Sequence, residues 1–213
     1  LLYYGMKLSY EKNGTGKPII LIHGNGQSNE FFAPHMQLFA TAGYTVYAPD
    51  SRGHGKSAKV ARLDYDDMAE DIAELIRDEK LQKPTLLGFS DGGIIGLLVA
   101  MKYPDILGKL YVAGVNLTPK GVKPMWRFLM RLVFVFTRSD KMRLMIKQPN
   151  IKAQQLRAIT VPTTAFYAEK DIVKIADTRT VVENVRDGKL VFVPKENHGS
   201  YIADAKKLLD LIS

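Results

Sequence analysis

Short apolar runs alternate with longer segments of helical period along most of the chain. Pro18–Ile22, Thr45–Ala48, Thr85–Gly88, Lys109–Ala113, Thr163–Tyr167 and Lys189–Val193 read as strands, and Lys7–Tyr10 reads as an edge strand. The clearest helix is "DYDDMAEDIAELIRDEK", where Met68, Ile72, Leu75 and Ile76 recur at i, i+4, i+7 and i+8 and acids crowd the first turn. Further helices are expected over Asn29–Ala42, Asp91–Lys102, Val173–Val185 and Tyr201–Ile212. Strands and helices in alternation predict an α/β fold: a mostly parallel sheet flanked by helices on both faces.

Such sheets gather their chemistry at the carboxyl ends of the strands, so the residues just after each strand carry the information. "HGNG", "PDSRGHGKS", "GFSDGG", "AEKDIV" and "PKENHGSY" occupy those places, and each is polar, glycine-marked or both. Gly88-Phe89-Ser90-Asp91-Gly92 matches G-x-S-x-G between a strand and a helix, a turn that thrusts the serine outward. A serine hydroxyl needs a base to take its proton and a third group to orient that base. Of the four histidines, His23 and His54 sit in glycine turns and His35 falls on a helix, whereas His198 follows the last strand in a loop. Asp171 follows the penultimate strand, and Asp177 and Asp187 read as solvated surface acids. Ser90, Asp171 and His198 are therefore the candidate nucleophile, acid and base. The N–H of Asp91, at a helix start, and that of Asn25, with Gly26 next to it, are the candidate oxyanion donors.

Taken together, "HGNG", "DSRGHGKS", "GFSDGG", "AEKDIV" and "NHGSY" resemble the α/β-hydrolase superfamily, in order and across nearly the whole chain. The resemblance implies a Ser90–His198–Asp171 triad, and a core of residues 1–116 and 161–213 interrupted by a short helical cap, residues 117–160, before the penultimate strand. Two departures from the family pattern are visible: Ala168 stands where the acid turn often has glycine, and the cap is short. "SDGG" also resembles the nucleophile turn of valacyclovir hydrolase-like enzymes, in which an acid beside the serine receives a substrate ammonium. Asp91 is thus a candidate substrate contact as well as a helix-stabilising acid. Gly26, Met125, Trp126 and Leu129 are the other candidates to touch substrate. The expected reaction is hydrolysis of a small carboxylic ester. Amide, aminoacyl-ester or carbon–carbon bond hydrolysis, or a ligand-binding receptor with slow turnover, are the alternatives.

Charge sharpens the picture of the insertion. The chain's net charge is +8, but residues 117–160 hold ten basic residues against Asp140, so that segment carries the whole imbalance. Four of the eight methionines lie there as well. A charge confined to one segment does not suggest a nucleic-acid partner. Lys123, Arg127 and Arg131 fall at i, i+4 and i+8 among apolar residues, a surface suited either to lying on an anionic membrane or to lining an acyl pocket. The expectation is that its apolar face packs on the core and its basic face is solvated, with membrane binding the weaker alternative.

The remaining sequence features exclude more than they suggest. "RGHGKS" is not a phosphate loop, because Asp50 stands where the first glycine belongs, and "GNGQSN" lacks the last glycine of a dinucleotide fingerprint. Neither metal-ligand spacing nor a cofactor motif is present, so no metal or cofactor is expected. The chain has no cysteine, its opening "LLYYGMKLSY" turns polar too soon for a signal peptide, and no apolar run is long enough to span a bilayer. A cytoplasmic location is the expectation.

Overall fold

The computed structural model describes residues 5–213, so part of the opening stretch read as too polar for a leader lies outside the described residues. Among the described residues seven strands form one sheet: β1 (Tyr10–Asn13), β2 (Lys17–Ile22), β3 (Tyr44–Pro49), β4 (Thr85–Phe89), β5 (Lys109–Ala113), β6 (Thr163–Lys170) and β7 (Gly188–Asn197). Their order is β1-β3-β2-β4-β5-β6-β7, and only the edge strand β1 runs antiparallel. Both faces are covered, which is why β2 is apolar at every step from Ile19 to Ile22 rather than at alternate ones. Ile20 and Ile22 join Leu86, Leu110 and Val112 on one face; Ile19 and Leu21 join Val46, Leu87 and Phe166 on the other.

Helices α2 (Tyr65–Asp78), α3 (Asp91–Lys102) and α7 (Ile175–Asn184) cover the first face. Helices α1 (Ala33–Thr41), α8 (Ser200–Ala203) and α9 (Ala205–Ile212) cover the second. The apolar stripe of α2 is buried as its period requires, with Met68, Ile72, Leu75 and Ile76 all inside. Asp64 caps it by accepting from the Asp66 N–H at 2.9 Å.

Several boundaries differ from the sequence expectation for local reasons. The edge strand lies at Tyr10–Asn13 rather than Lys7–Tyr10, because pairing with β3 runs on through polar residues that an apolar count passes over. The helix expected over Asn29–Ala42 begins with a 3₁₀ turn, Asn29–Phe32, and restarts at α1, whose first turn contains Pro34. The last helix is two: Asp204 leaves helical geometry at ψ 99° and caps α9 by accepting the Lys207 N–H at 3.0 Å. Strands β6 and β7 run longer than expected, to Lys170 and Asn197, and this extension matters for the site.

Residues between β5 and β6 form a 3₁₀ turn (Pro119–Gly121) and helices α4 (Pro124–Thr137), α5 (Asp140–Lys147) and α6 (Ala153–Leu156). Asp140 accepts the Leu63 N–H, Gln148 Nε2 donates to Asp64 at 2.7 Å, and Leu117 N–H donates to Asp177 at 2.7 Å, so this segment is tied down at several points. Asp177, expected to be a solvated surface acid, is therefore half-buried and structural, while Asp187 is exposed as expected. The expectation for α4 is overturned. No residue of α4 is buried, and most of its apolar side chains face outward instead of packing on the core. The helix turns Arg127, Met130 and Phe134 inward, and Arg127 Nε is buried with no hydrogen-bond partner among the described residues.

Candidate active site

Sheet register brings the candidate residues together. Lys170 and Asn197 are the last paired residues of β6 and β7, so Asp171 and His198 leave the sheet side by side. His198 Nδ1 lies 2.6 Å from Asp171 Oδ1, and the carboxylate is buried. Because that partner accepts, Nδ1 carries the proton and Nε2 is left as an acceptor. Asp171 is oriented in turn by the Val173 N–H, which donates to its Oδ1 at 3.0 Å.

Phe89 and Ala113 are the last paired residues of β4 and β5, and the Ser90 N–H donates to the Ala113 carbonyl at 2.8 Å. Ser90 then takes φ 53° and ψ −114°, a backbone conformation costing on the order of 1–3 kcal/mol for a side-chain-bearing residue. The turn tolerates it only because its flanks are glycine. A Cβ on Gly88 would sit 2.1 Å from the Gly92 carbonyl oxygen, and one on Gly92 would sit 2.2 Å from that of Ile22. The outcome is a half-exposed Ser90 whose Oγ is 3.2 Å from His198 Nε2. Phe89 packs against the His198 ring at 5.0 Å between centroids.

The loop after β2 meets this turn from the other side, because Ile22 pairs with Gly88. Asn25 Nδ2 donates to Asp91 Oδ2 at 2.8 Å and, at 3.3 Å, to the Lys141 carbonyl in the first turn of α5. Asp91 is buried, as is Tyr65, whose hydroxyl favours the charged form of the Asp91 carboxyl. Burial pushes the Asp91 carboxyl above its ordinary value, and the Asn25 hydrogen bond and the neighbouring Tyr65 hydroxyl oppose that shift. Gly26, exposed at the loop tip, donates its N–H to His54 Nε2 at 3.3 Å.

His23 and His54 support this loop from beneath, with ring centroids 5.3 Å apart. His23 Nδ1 faces the Gly24 carbonyl at 2.8 Å and Nε2 faces the Ser51 N–H at 3.1 Å; His54 Nδ1 likewise faces the Arg52 carbonyl at 3.0 Å. A carbonyl on one nitrogen and an N–H on the other fix each ring as the neutral Nδ1–H tautomer. Burial lowers the pKa of both, that of His54 to about 4. His35 sits on α1, bonded to the Ile202 carbonyl at 2.7 Å, away from these groups in the second core face.

The candidate pocket residues divide. Asp91 and Gly26 lie beside the serine turn, whereas Met125, Trp126 and Leu129 stand exposed on α4 and share no packed cluster with Ser90 among the described residues. Sequence reasoning missed Tyr65, Phe89, Gly114 and the Lys141 carbonyl. Gly114 lies just past β5 at φ 62°, and a Cβ there would meet His198 Cε1 at 2.6 Å. Its place one residue beyond a strand end was the signal available. Among the described residues no group of three His, Asp or Glu side chains could hold a metal ion.

Comparison with known proteins agrees with this fold. A family model described as the alpha/beta hydrolase fold matches residues 17–139. Mouse serine hydrolase BPHL is 24% identical over 241 aligned residues, covering 98% of this chain and 82% of that protein. The human serine hydrolase BPHL is 34% identical over 120 residues, covering 53% of this chain and 40% of its own length. Among solved structures, an esterase from Exiguobacterium antarcticum superposes with a TM-score of 0.84 at 23% identity, covering 96% of this chain and 93% of that one, a likeness of fold.

Proposed function

The chain belongs to the α/β-hydrolase family, and from that premise we propose that this hydrolase cleaves small carboxylic esters through an acyl-enzyme on Ser90. The observation that carries the reading is the hydrogen-bonded series Asp171–His198–Ser90, at 2.6 and 3.2 Å. His198 Nε2 takes the Ser90 proton as Oγ attacks the ester carbonyl. Asp171 holds the imidazole and balances the charge it acquires. The N–H groups of Asn25 and Asp91 receive the oxyanion, the latter with the dipole of α3 behind it. His198 returns the proton to the leaving alcohol, then deprotonates the water that releases the acid.

Residues 117–160 act as a cap in this proposal, supported by the Asn25–Lys141 hydrogen bond that joins α5 to the oxyanion loop. The burial of Asp91 and its engagement by Asn25 support plain esters over aminoacyl esters as substrates. The cytoplasmic location expected from the sequence remains part of the proposal.

Turnover of p-nitrophenyl esters of graded chain length tests it. The wild-type chain should hydrolyse the short members, and Ser90→Ala should lose on the order of 10⁴-fold or more in kcat. Equal turnover by Ser90→Ala, or none by the wild type on any member, contradicts the assignment.

A further inference from the structure

Helix α4 is built the wrong way round for a helix in water. Met125, Leu129, Leu132 and Phe136 follow one another at i, i+4, i+7 and i+11, a single stripe, and that stripe points outward. Phe128 and Trp126 widen it on either side, so the exposed face is apolar over most of its circumference, and Phe136 is 79% exposed. The charged Arg127 is turned inward with Met130 and Phe134. A contiguous apolar surface of this kind marks a docking face.

Charge decides what docks there. The segment carrying α4 has ten basic residues and a single acid, and that acid, Asp140, is already engaged by the Leu63 N–H and by Arg143 at 2.5 Å. Lys120 lies before the helix, Arg131 within it and Arg138 at its end, all exposed. A second copy of the chain would set two such basic segments face to face. A helix standing clear of the core is also convex, which suits a deformable surface better than a rigid groove. A bilayer with anionic headgroups supplies both what the apolar stripe lacks and what the basic rim attracts.

We propose that α4 is a docking helix that lies in the plane of an anionic membrane surface, its apolar stripe at headgroup depth and Lys120, Arg131 and Arg138 among the phosphates. The helix does not span: 14 residues reach about 21 Å against ~30 Å of hydrocarbon. No helix among the described residues is long and apolar enough to cross. Docking would also bring the bilayer close to the serine turn, since α5 follows α4 directly and its Lys141 carbonyl is bonded to Asn25. The inference concerns binding and holds whether or not Ser90 is the nucleophile.

Trp126 is the chain's only tryptophan, so selectively excited tryptophan emission reports on α4 alone. The full chain is titrated with vesicles of phosphatidylglycerol and phosphatidylcholine in equal parts, and with phosphatidylcholine alone. The expected result is a blue shift of Trp126 emission, quenching by brominated acyl chains and co-flotation with the anionic vesicles, all weakened by added salt. The double variant Leu132→Asp, Phe136→Asp should bind at least roughly tenfold more weakly while keeping its thermal midpoint and its turnover of a water-soluble ester. Absence of a shift and of flotation overturns the proposal, as does equal binding to uncharged vesicles. A lipid-free dimer with Trp126 emission already blue would assign the face to a second copy instead.

Discussion

The side-chain amide of Asn25 donates to Asp91 Oδ2 at 2.8 Å, so the residue beside Ser90 holds the loop that faces it across the site. Both candidate oxyanion donors belong to this one pair, and the carboxylate between them is buried and accepts from Asn25. Its role in the proposed chemistry is to position.

Asp91→Ala should therefore lower kcat by roughly 10²-fold with little change in KM, the scale expected when reacting groups are misplaced by about an ångström. Asp91→Asn, which still offers an acceptor to Asn25, should recover part of the loss. Steady-state kinetics on matched plain and aminoacyl esters checks it. A loss confined to aminoacyl esters would show the carboxylate reading the substrate instead.

Gly114 offers a test of His198 placement away from the serine itself. With φ at 62° and a Cβ position 2.6 Å from His198 Cε1, Gly114→Ala must displace the imidazole. A kcat loss of roughly 10²-fold is expected, with slower reaction toward fluorophosphonates. Wild-type rates in a folded Gly114→Ala protein would mean that His198 does not act where the structure holds it.

Acid should destabilise the fold through its buried histidines. Burial lowers the pKa of His23, His35 and His54 below 6.5, so the unfolded chain binds protons at pH values where the fold does not. Their contribution is fully present above pH 6.5 and is lost as pH falls from there toward about 4, where His54 itself titrates. Protonating His54 Nε2 also removes the acceptor of the Gly26 N–H and loosens the oxyanion loop. Thermal unfolding followed across this range should show a falling midpoint. In His54→Gln the fall should be shallower.

A buried ion pair anchors the loop after β3. Arg52 donates to both oxygens of Asp71 at 2.6 Å, and Asp71 also accepts the Met6 N–H at 2.6 Å. Burial nonetheless raises the Asp71 pKa, the Arg52 hydrogen bonds lowering it by less, so the pair specifies geometry at a desolvation cost. Asp67 also accepts from Arg52 Nη1 at 2.9 Å, so Asp71→Ala removes two charge-assisted hydrogen bonds and the Met6 anchor while Arg52 keeps that partner, and it should cost about 1–3 kcal/mol in urea unfolding.

Much of the fold was legible because both sheet faces are buried and α2 carries a full apolar stripe. Ser90, Asp171 and His198 were legible for a related reason: strand ends are where such sheets concentrate polar residues, and the structure joins these three by hydrogen bonds. What escaped depended on side chains meeting across the chain. Nothing local distinguishes Asp91 as a partner of Asn25, 66 residues away, from Asp91 as a helix-capping acid. The orientation of α4 escaped for a different reason, since periodicity reveals that a stripe exists but not which way it faces. The split at Asp204 was readable in principle, as an acid three residues before the N–H it caps.

Reaction with a fluorophosphonate probe, read by intact mass and by peptide mapping, tests the central claim most directly. The account predicts one adduct per chain, located on Ser90, absent in Ser90→Ala and strongly slowed in His198→Ala. An unmodified wild-type chain, or an adduct that persists in Ser90→Ala, would contradict it.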